Sequence, residues 1–308
     1  MSGVNCWQQH RSALNQMNRR NFARTMAGAA LSATVPPLAL AAGDADLPFK
    51  LSVMLWTVYK QLPFEARLDK VAEAGYRAVE LVNEFKQWSD ADFRSANARK
   101  RSLGIVFDAT AGVWKGIADP GGRDAFLADL NAFFPVAEKL ECPGIIVLSG
   151  NRVEGASRQA HHAACVEALK PAADTAAKQN VTLLLENIDQ EENPKYYLTS
   201  VAEGFEIIRE VGHPHVKFLY DFYHEQISEG NLIEKLEKNI DQVGLVHIAD
   251  VPGRHQPGTG EIHYASIYRK LAELKYDRYA AMEFMPAGDS VAILRAAREQ
   301  VAQAVTAG

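Results

Sequence analysis

Apolar and polar positions along this chain follow two alternating periods. Short runs rich in apolar and β-branched residues occur at Lys50–Trp56, Ala78–Val82, Ile105–Ala109, Gly144–Leu148, Val181–Glu186, Val216–Asp221, Val243–Ile248 and Ala280–Phe284. Their brevity and continuous hydrophobicity fit strands buried on both faces. Between them lie longer stretches with helical spacing. In Pro63–Gly75, Phe64, Leu68, Val71 and Ala72 share one face, and Gly75 ends the pattern. Arg123–Leu140, Ser157–Gln179, Ser200–Val211, Asn231–Ile240, Tyr264–Leu274 and Ser290–Thr306 behave alike, and Ala91–Ser102 is a more polar version. Eight strand–helix units in succession predict an α/β fold of the (β/α)8 TIM barrel type, built as a single domain. A doubly wound open sheet is the alternative. It usually carries a glycine-rich phosphate loop after strand one, and Leu55-Trp-Thr-Val-Tyr59 contains no glycine.

The chain before the first strand has another character. Met17-Asn-Arg-Arg-Asn-Phe-Ala-Arg24 carries the pair Arg19-Arg20, and an uncharged, alanine-rich stretch runs from Thr25 to Leu40. Ala39-Leu40-Ala41 then fits a small-x-small cleavage site. Basic region, apolar region and cleavage site in that order predict a signal peptide, and the consecutive arginines resemble a twin-arginine signal. A membrane anchor needs ~20 strongly apolar residues, and Ser32, Thr34, Pro36 and Pro37 interrupt this one. Residues 1–43 are therefore expected to be an N-terminal extension and signal, with Met17 as an alternative start, and residues 44–308 the barrel. The expected partner is the twin-arginine export machinery and the expected location the periplasm or beyond, with the cytoplasm as the alternative.

Composition narrows the function. With 308 residues, 47% hydrophobic and 23% charged, the chain can form a large core without disulfides. Three cysteines, Cys6, Cys142 and Cys165, exclude a disulfide scaffold and a cysteine-rich zinc module. Cys142 and Cys165 read as buried free thiols. Residues 1–43 hold four arginines and no acid, which leaves 29 basic and 38 acidic groups in the rest. That acidic body argues against a nucleic-acid binder, which needs a basic face.

Chemistry in such a barrel sits at the C-terminal ends of the strands. Strand five ends in Glu186, strand six in Asp221, strand seven carries His247 and strand eight Glu283. One charged residue after an apolar run needs no explanation beyond solvent. Four consecutive strand ends supplying Glu, Asp, His and Glu need more. Three carboxylates converging in a partly dry pocket repel one another, and a divalent cation removes that penalty. Three oxygen donors and one imidazole suit Mg²⁺ or Mn²⁺, tolerate Co²⁺ and fit structural Zn²⁺ poorly. His224 follows Asp221 by three residues and reaches the rim. Arg254 lies in a Gly- and Pro-shaped loop and suits a substrate carboxylate. Trp56 and Tyr59 follow strand one, where they wall a pocket or simply pack. His161-His162 opens a helix and reads as a surface pair.

The stretches Asp221-Phe-Tyr-His-Glu-Gln-Ile-Ser-Glu-Gly-Asn-Leu232 and His247-Ile-Ala-Asp-Val-Pro-Gly-Arg-His-Gln-Pro-Gly-Thr-Gly-Glu-Ile262 carry a resemblance. From about residue 50 to 300 the chain resembles the xylose isomerase-like barrels, and among them the hydroxypyruvate isomerase family. The resemblance implies that Glu186 and Glu283 are catalytic and bind the metal together with Asp221 and His247, and that His224 and Arg254 contact substrate. It implies an isomerase that interconverts hydroxypyruvate and tartronate semialdehyde by enediolate proton transfer. Three departures bear on the substrate. Asn187 stands where the isomerases more often have proline. His247 is the ligand type common in the sugar epimerases. An export signal is unexpected for a glyoxylate-pathway enzyme. The alternatives are a ketose epimerase or aldose–ketose isomerase acting on free sugars, a phosphodiester-cleaving barrel, opposed by the charge, and a non-catalytic sugar or keto-acid binding protein. Barrels of this kind often associate into homo-oligomers, but no stripe of residues marks an interface.

Overall fold

The structure is a computed structural model and describes residues 47–306. Eight strands close into one ring in sequence order: β1 (Lys50–Met54), β2 (Ala78–Leu81), β3 (Val106–Thr110), β4 (Gly144–Leu148), β5 (Thr182–Glu186), β6 (Val216–Asp221), β7 (Val243–Ile248) and β8 (Tyr279–Met282). β1 closes the ring on β8 in parallel, with Leu51 opposite Ala280 and Val53 opposite Met282. Outside run α1 (Phe64–Glu73), α2 (Asp90–Ser102), α3 (Arg123–Leu140), α4 (Arg158–Lys178), α5 (Val201–Val211), α6 (Phe222–Ser228), α7 (Leu232–Asn239), α8 (Tyr264–Glu273) and α9 (Ser290–Thr306). This is the TIM barrel the pattern predicts, and ring closure excludes the open sheet.

The core has two parts because successive strand side chains point to opposite faces. Leu183 and Leu185 of β5 face outward with Val246 and Ile248 of β7, where they meet helix residues such as Leu68, Leu130, Leu169 and Leu271. Met54, Ile146, Leu184, Leu219 and Leu245 face inward and fill the barrel. The same alternation places Glu186 two residues after Leu184, Asp221 two after Leu219, and His247 two after Leu245. The pleat that builds the interior thus aims these three polar side chains at the axis.

Three details differ from the sequence reading. β1 stops at Met54, and Leu55–Thr57 tighten into a 3₁₀ turn, closed by Thr57 Oγ1–H donating to Met54 O at 2.8 Å. Trp56 therefore leaves the strand. The pattern predicts one helix between strands six and seven, and the structure has two. α6 follows β6 with no loop because the Asp221 carboxylate caps it, accepting from Tyr223 N at 2.7 Å and His224 N at 3.2 Å. Seven residues are too few for helical periodicity to register in the sequence. The surface reading of His161-His162 is corrected at His161, which is buried, with Nδ1 2.7 Å from Ala118 O. The face of α4 that carries it packs on the loop after β3. His162 stays half-buried, 3.4 Å from Glu203 Oε1. Tyr59 is buried in the outer core.

The polar Ala91–Ser102 stretch does form a helix, α2, started by a reciprocal cap between Ser89 and Asp92. Cys142 and Cys165 are buried and free. No helix among the described residues is long and apolar enough to cross a membrane. The expected signal segment, residues 1–43, lies outside the described residues.

Candidate active site

Glu186 ends β5, Asp221 ends β6, His247 is the penultimate residue of β7, and Glu283 follows β8. One donor atom from each lies within 4.8 Å of the others, and all four residues are buried. His247 Nδ1 is 2.6 Å from Glu283 Oε2, 3.4 Å from Glu186 Oε1 and 3.8 Å from Asp221 Oδ2. Asp221 Oδ2 makes no hydrogen bond, and His247 Nδ1 and Glu283 Oε2 meet only as an ion pair, without hydrogen-bond geometry. Three buried carboxylates crowded on one imidazole are costly unless a cation binds them. The set fits a hard divalent ion, with three oxygen donors and one nitrogen. Burial disfavours charge on His247, but Glu283 and Glu80 outweigh it and hold the ring protonated well above its usual range. A cation bound by these donors would take the place of that proton.

Behind the donors lies a second tier. His247 Nε2 is 2.9 Å from Glu80 Oε2, and Glu80 is fully buried on β2. Ser52 Oγ–H donates to Asp108 Oδ1 at 2.6 Å nearby. Burial, then the Glu80 charge, raises the Asp108 carboxyl well above the ordinary carboxylate range. The sequence reading missed both acids. The signal was present, because a glutamate inside Ala78-Val-Glu80-Leu81 has no solvent to reach.

The rim is basic and aromatic. Arg254 Nη2 is 2.9 Å from Glu283 Oε2 and 3.7 Å from Asp221 Oδ2, while Nη1 donates to Glu192 Oε1 at 2.8 Å. Its guanidinium lies 4.9 Å from the Tyr223 ring and 5.7 Å from the Trp56 ring. Its backbone sits at φ 55°, a left-handed conformation that side chains other than glycine rarely adopt. Asp250 holds that loop. Its Oδ1 accepts from Val251 and Ile262 N–H, and its Oδ2 from Gly258, Thr259 and Gly260 N–H. Gly260 is required there, since a Cβ would stand 2.0 Å from Val251 O.

Trp56, freed by the 3₁₀ turn, donates Nε1–H to Glu283 Oε1 at 2.9 Å. His224 places Nε2 3.5 Å from Asp221 Oδ2. Burial works against its charge, but Asp221 and the hydrogen bond to Asp189 push the imidazole up to about 9. The two glutamates differ. Burial, only partly offset by His247, raises Glu186. Glu283 is equally buried, but Arg254 and His247 outweigh burial and hold it well below the carboxylate range. The structure thus places Glu186, Asp221, His247, Glu283, His224, Arg254 and Trp56 in one connected cluster. Glu80, Asp189, Glu192 and Tyr223 join it without having been singled out in the sequence.

A family profile described as xylose isomerase-like TIM barrel matches residues 68–304. Hydroxypyruvate isomerase of Escherichia coli is 30% identical over 251 residues, covering 80% of this chain and 97% of that protein. The 2-oxo-tetronate isomerase of Cupriavidus necator is 32% identical over 250 residues, covering 79% and 96%. Among solved structures, an AP endonuclease, family 2, from Brucella melitensis superposes with TM-score 0.71 at 26% identity, covering 80% of this chain and 96% of that one. The IOLI protein with a bound zinc atom has TM-score 0.71 at 17% identity, covering 84% and 99%, and shares the fold. The chain belongs to the xylose isomerase-like TIM barrel family.

Proposed function

We propose that this protein is a divalent-cation-dependent isomerase that interconverts hydroxypyruvate and tartronate semialdehyde (2-hydroxy-3-oxopropanoate). The observation that carries the reading is the convergence of Glu186, Asp221, His247 and Glu283, three buried carboxylates around one buried imidazole. The relatives support it, because those named above are hydroxypyruvate and 2-oxo-tetronate isomerases. Mg²⁺ or Mn²⁺ held by the four donors would supply Lewis-acid polarisation of adjacent carbonyl and hydroxyl oxygens.

The chain's own residues move the protons. One of Glu186 and Glu283 takes the proton from C3, the carbon bearing the hydroxyl, and the other delivers a proton to C2. The O3 proton passes to O2 through the enediolate, so the reaction balances with no external oxidant. Each positioned acid or base contributes about 10²–10⁴-fold. His224 Nε2 faces the substrate oxygens, and Trp56 and Tyr223 wall the pocket. Arg254 binds the substrate carboxylate in place of Glu192, which is half-exposed and can swing out.

The test is solvent-proton exchange. Protein stripped with chelator and reloaded with Mg²⁺ is incubated with hydroxypyruvate in D₂O and followed by proton NMR. Metal-dependent deuterium incorporation and the appearance of tartronate semialdehyde are expected. No exchange with hydroxypyruvate or the four-carbon 2-oxo-tetronate would overturn the reading.

One observation favours a second reading, a ketose epimerase or isomerase on neutral sugars. The Arg254 fork already has two carboxylate partners, Glu192 and Glu283. Turnover of free ketoses that survives Arg254→Ala would select it. We also propose export through the twin-arginine route, on the strength of Arg19-Arg20 and the cleavage site at Ala39–Ala41. Replacing both arginines by lysine should leave the protein in the cytoplasmic fraction, and unchanged export would refute the route.

A further inference from the structure

We propose that Asp189 is a positioning residue that aims His224 into the active site, an inference that rests on the isomerase reading for its kinetic consequence. Asp189 lies three residues after Glu186, in the loop leaving β5, and is fully buried. Both of its carboxylate oxygens are used, in different directions. Oδ1 accepts from the backbone N–H of Glu191 at 2.7 Å and of Glu192 at 2.9 Å. Oδ2 lies 2.6 Å from His224 Nδ1. The Asp189 amide nitrogen also lies 3.4 Å from that ring nitrogen, but the carboxylate contact is far shorter and makes Nδ1 the donor. With Nδ1–H committed to Asp189, Nε2 is the ring nitrogen that faces the donor cluster, 3.5 Å from Asp221 Oδ2.

The same carboxylate also holds the loop after β5. By holding the Glu191 and Glu192 amides it fixes the start of the turn from which Glu192 reaches Arg254. One buried side chain therefore ties the loop after β5 to helix α6 after β6, and His224 is the residue it aims at the pocket. The chemistry needs a carboxylate in particular. An amide has one acceptor oxygen, and Asp189 accepts on both. Asparagine here must serve either the two backbone N–H groups or the imidazole. Two donors outcompete one, so its oxygen turns to the loop and its NH₂ turns to Nδ1. The ring must then accept at Nδ1 and can carry a proton only on Nε2, so the contact that aims it is reversed.

The experiment is long-range ¹H–¹⁵N correlation of the histidine rings in the full-length, Mg²⁺-loaded protein, with kinetics on hydroxypyruvate. Wild type should show His224 protonated on Nδ1. Asp189→Asn should lose that proton while keeping the wild-type affinity for Mg²⁺, and its kcat/KM should fall on the order of 10²-fold, the cost of a misaimed group. Most of the loss should appear in kcat. In a His224→Gln background the same substitution should change kcat/KM by less than about twofold, because Asp189 acts through His224. Asp189→Ser, with no carboxylate, should also lose the Nδ1 proton and serves if the asparagine variant does not fold. An Nδ1 proton absent from wild type or retained in both variants overturns the proposal. So does a loss that stays fully additive with His224→Gln. An inactive wild type sinks the isomerase reading instead, and the ring spectra still decide whether Asp189 orients His224.

Discussion

Replacing Glu80 by Gln probes the metal site from behind, without touching a donor. Glu80 Oε2 accepts from His247 Nε2–H at 2.9 Å, which leaves Nδ1 to face the other three donors. A hydrogen bond to a charged group contributes about 1.5–3 kcal/mol and a neutral one about 0.5–1.5 kcal/mol. The change to an amide therefore removes about 1–1.5 kcal/mol of anchoring, or roughly five- to twelvefold in metal affinity. The metal-free protein should respond with the opposite sign. His247 there is within salt-bridge distance of Glu80, Glu186, Asp221 and Glu283. Burial raises the Glu80 carboxyl above its usual range, so ionised Glu80 is a burden when no cation is bound. Chelator-stripped Glu80→Gln should melt at or above the wild-type temperature, while Mn²⁺ at a fixed concentration should stabilise it by about 1–1.5 kcal/mol less than wild type. Calorimetric titration with Mn²⁺ and thermal melts with and without the ion measure both. Unchanged Mn²⁺ affinity in Glu80→Gln, alongside a lost affinity in Asp221→Asn, would refute the role given to Glu80. A metal-free melting point that falls as far as the metal-bound one would reduce Glu80 to a packing residue.

Four further outcomes are expected. Glu186→Gln and Glu283→Gln should each lower turnover by about 10²-fold or more while circular dichroism stays unchanged, and near-wild-type turnover in both would sink their assignment. Asp250→Ala strips five backbone N–H groups of their acceptor; denaturant unfolding should show a loss of about 3 kcal/mol or more, with kcat/KM falling as Arg254 loses its frame. Gly260→Ala forces a Cβ against Val251 O and Asp250 Oδ1, so it should mimic Asp250→Ala in kinetics, and wild-type activity would contradict the close approach. Burial pushes the Cys142 and Cys165 thiols far above their ordinary pKa, so both should resist a thiol reagent until the protein unfolds, and labelling of the native protein would contradict that burial.

The barrel was legible because a parallel strand buried on both faces leaves a run of apolar residues that no surface element imitates. The four donors were legible for the related reason that each breaks such a run at its C-terminal end. Asp108 was not, since a strand with one acid inside resembles a strand with one exposed face, whereas Glu80 was readable from a run too short and too apolar to have such a face. Asp189 and Glu192 escaped for a different cause. They lie on an irregular turn, where no period says which side chain points inward. Helix α6 was hidden because its start is fixed by a single capping carboxylate, Asp221, that had already been given another task. Trp56 reached the site only because the chain leaves β1 early, a boundary difference of two residues that sequence patterns do not resolve.

The ring draws its four donors from β5 to β8 and the residue after β8, whereas Trp56 and Glu80, which touch those donors, arrive with β1 and β2 from the first half of the chain. Inheritance of the two halves is therefore separable in effect. A graft that exchanges the first half for that of a related barrel keeps the four donors together with Arg254 and His224, and replaces only Glu80 and Trp56 behind and beside them. Substitution in the first half of the chain can thus alter what supports the four donor residues while each of them stays as it was.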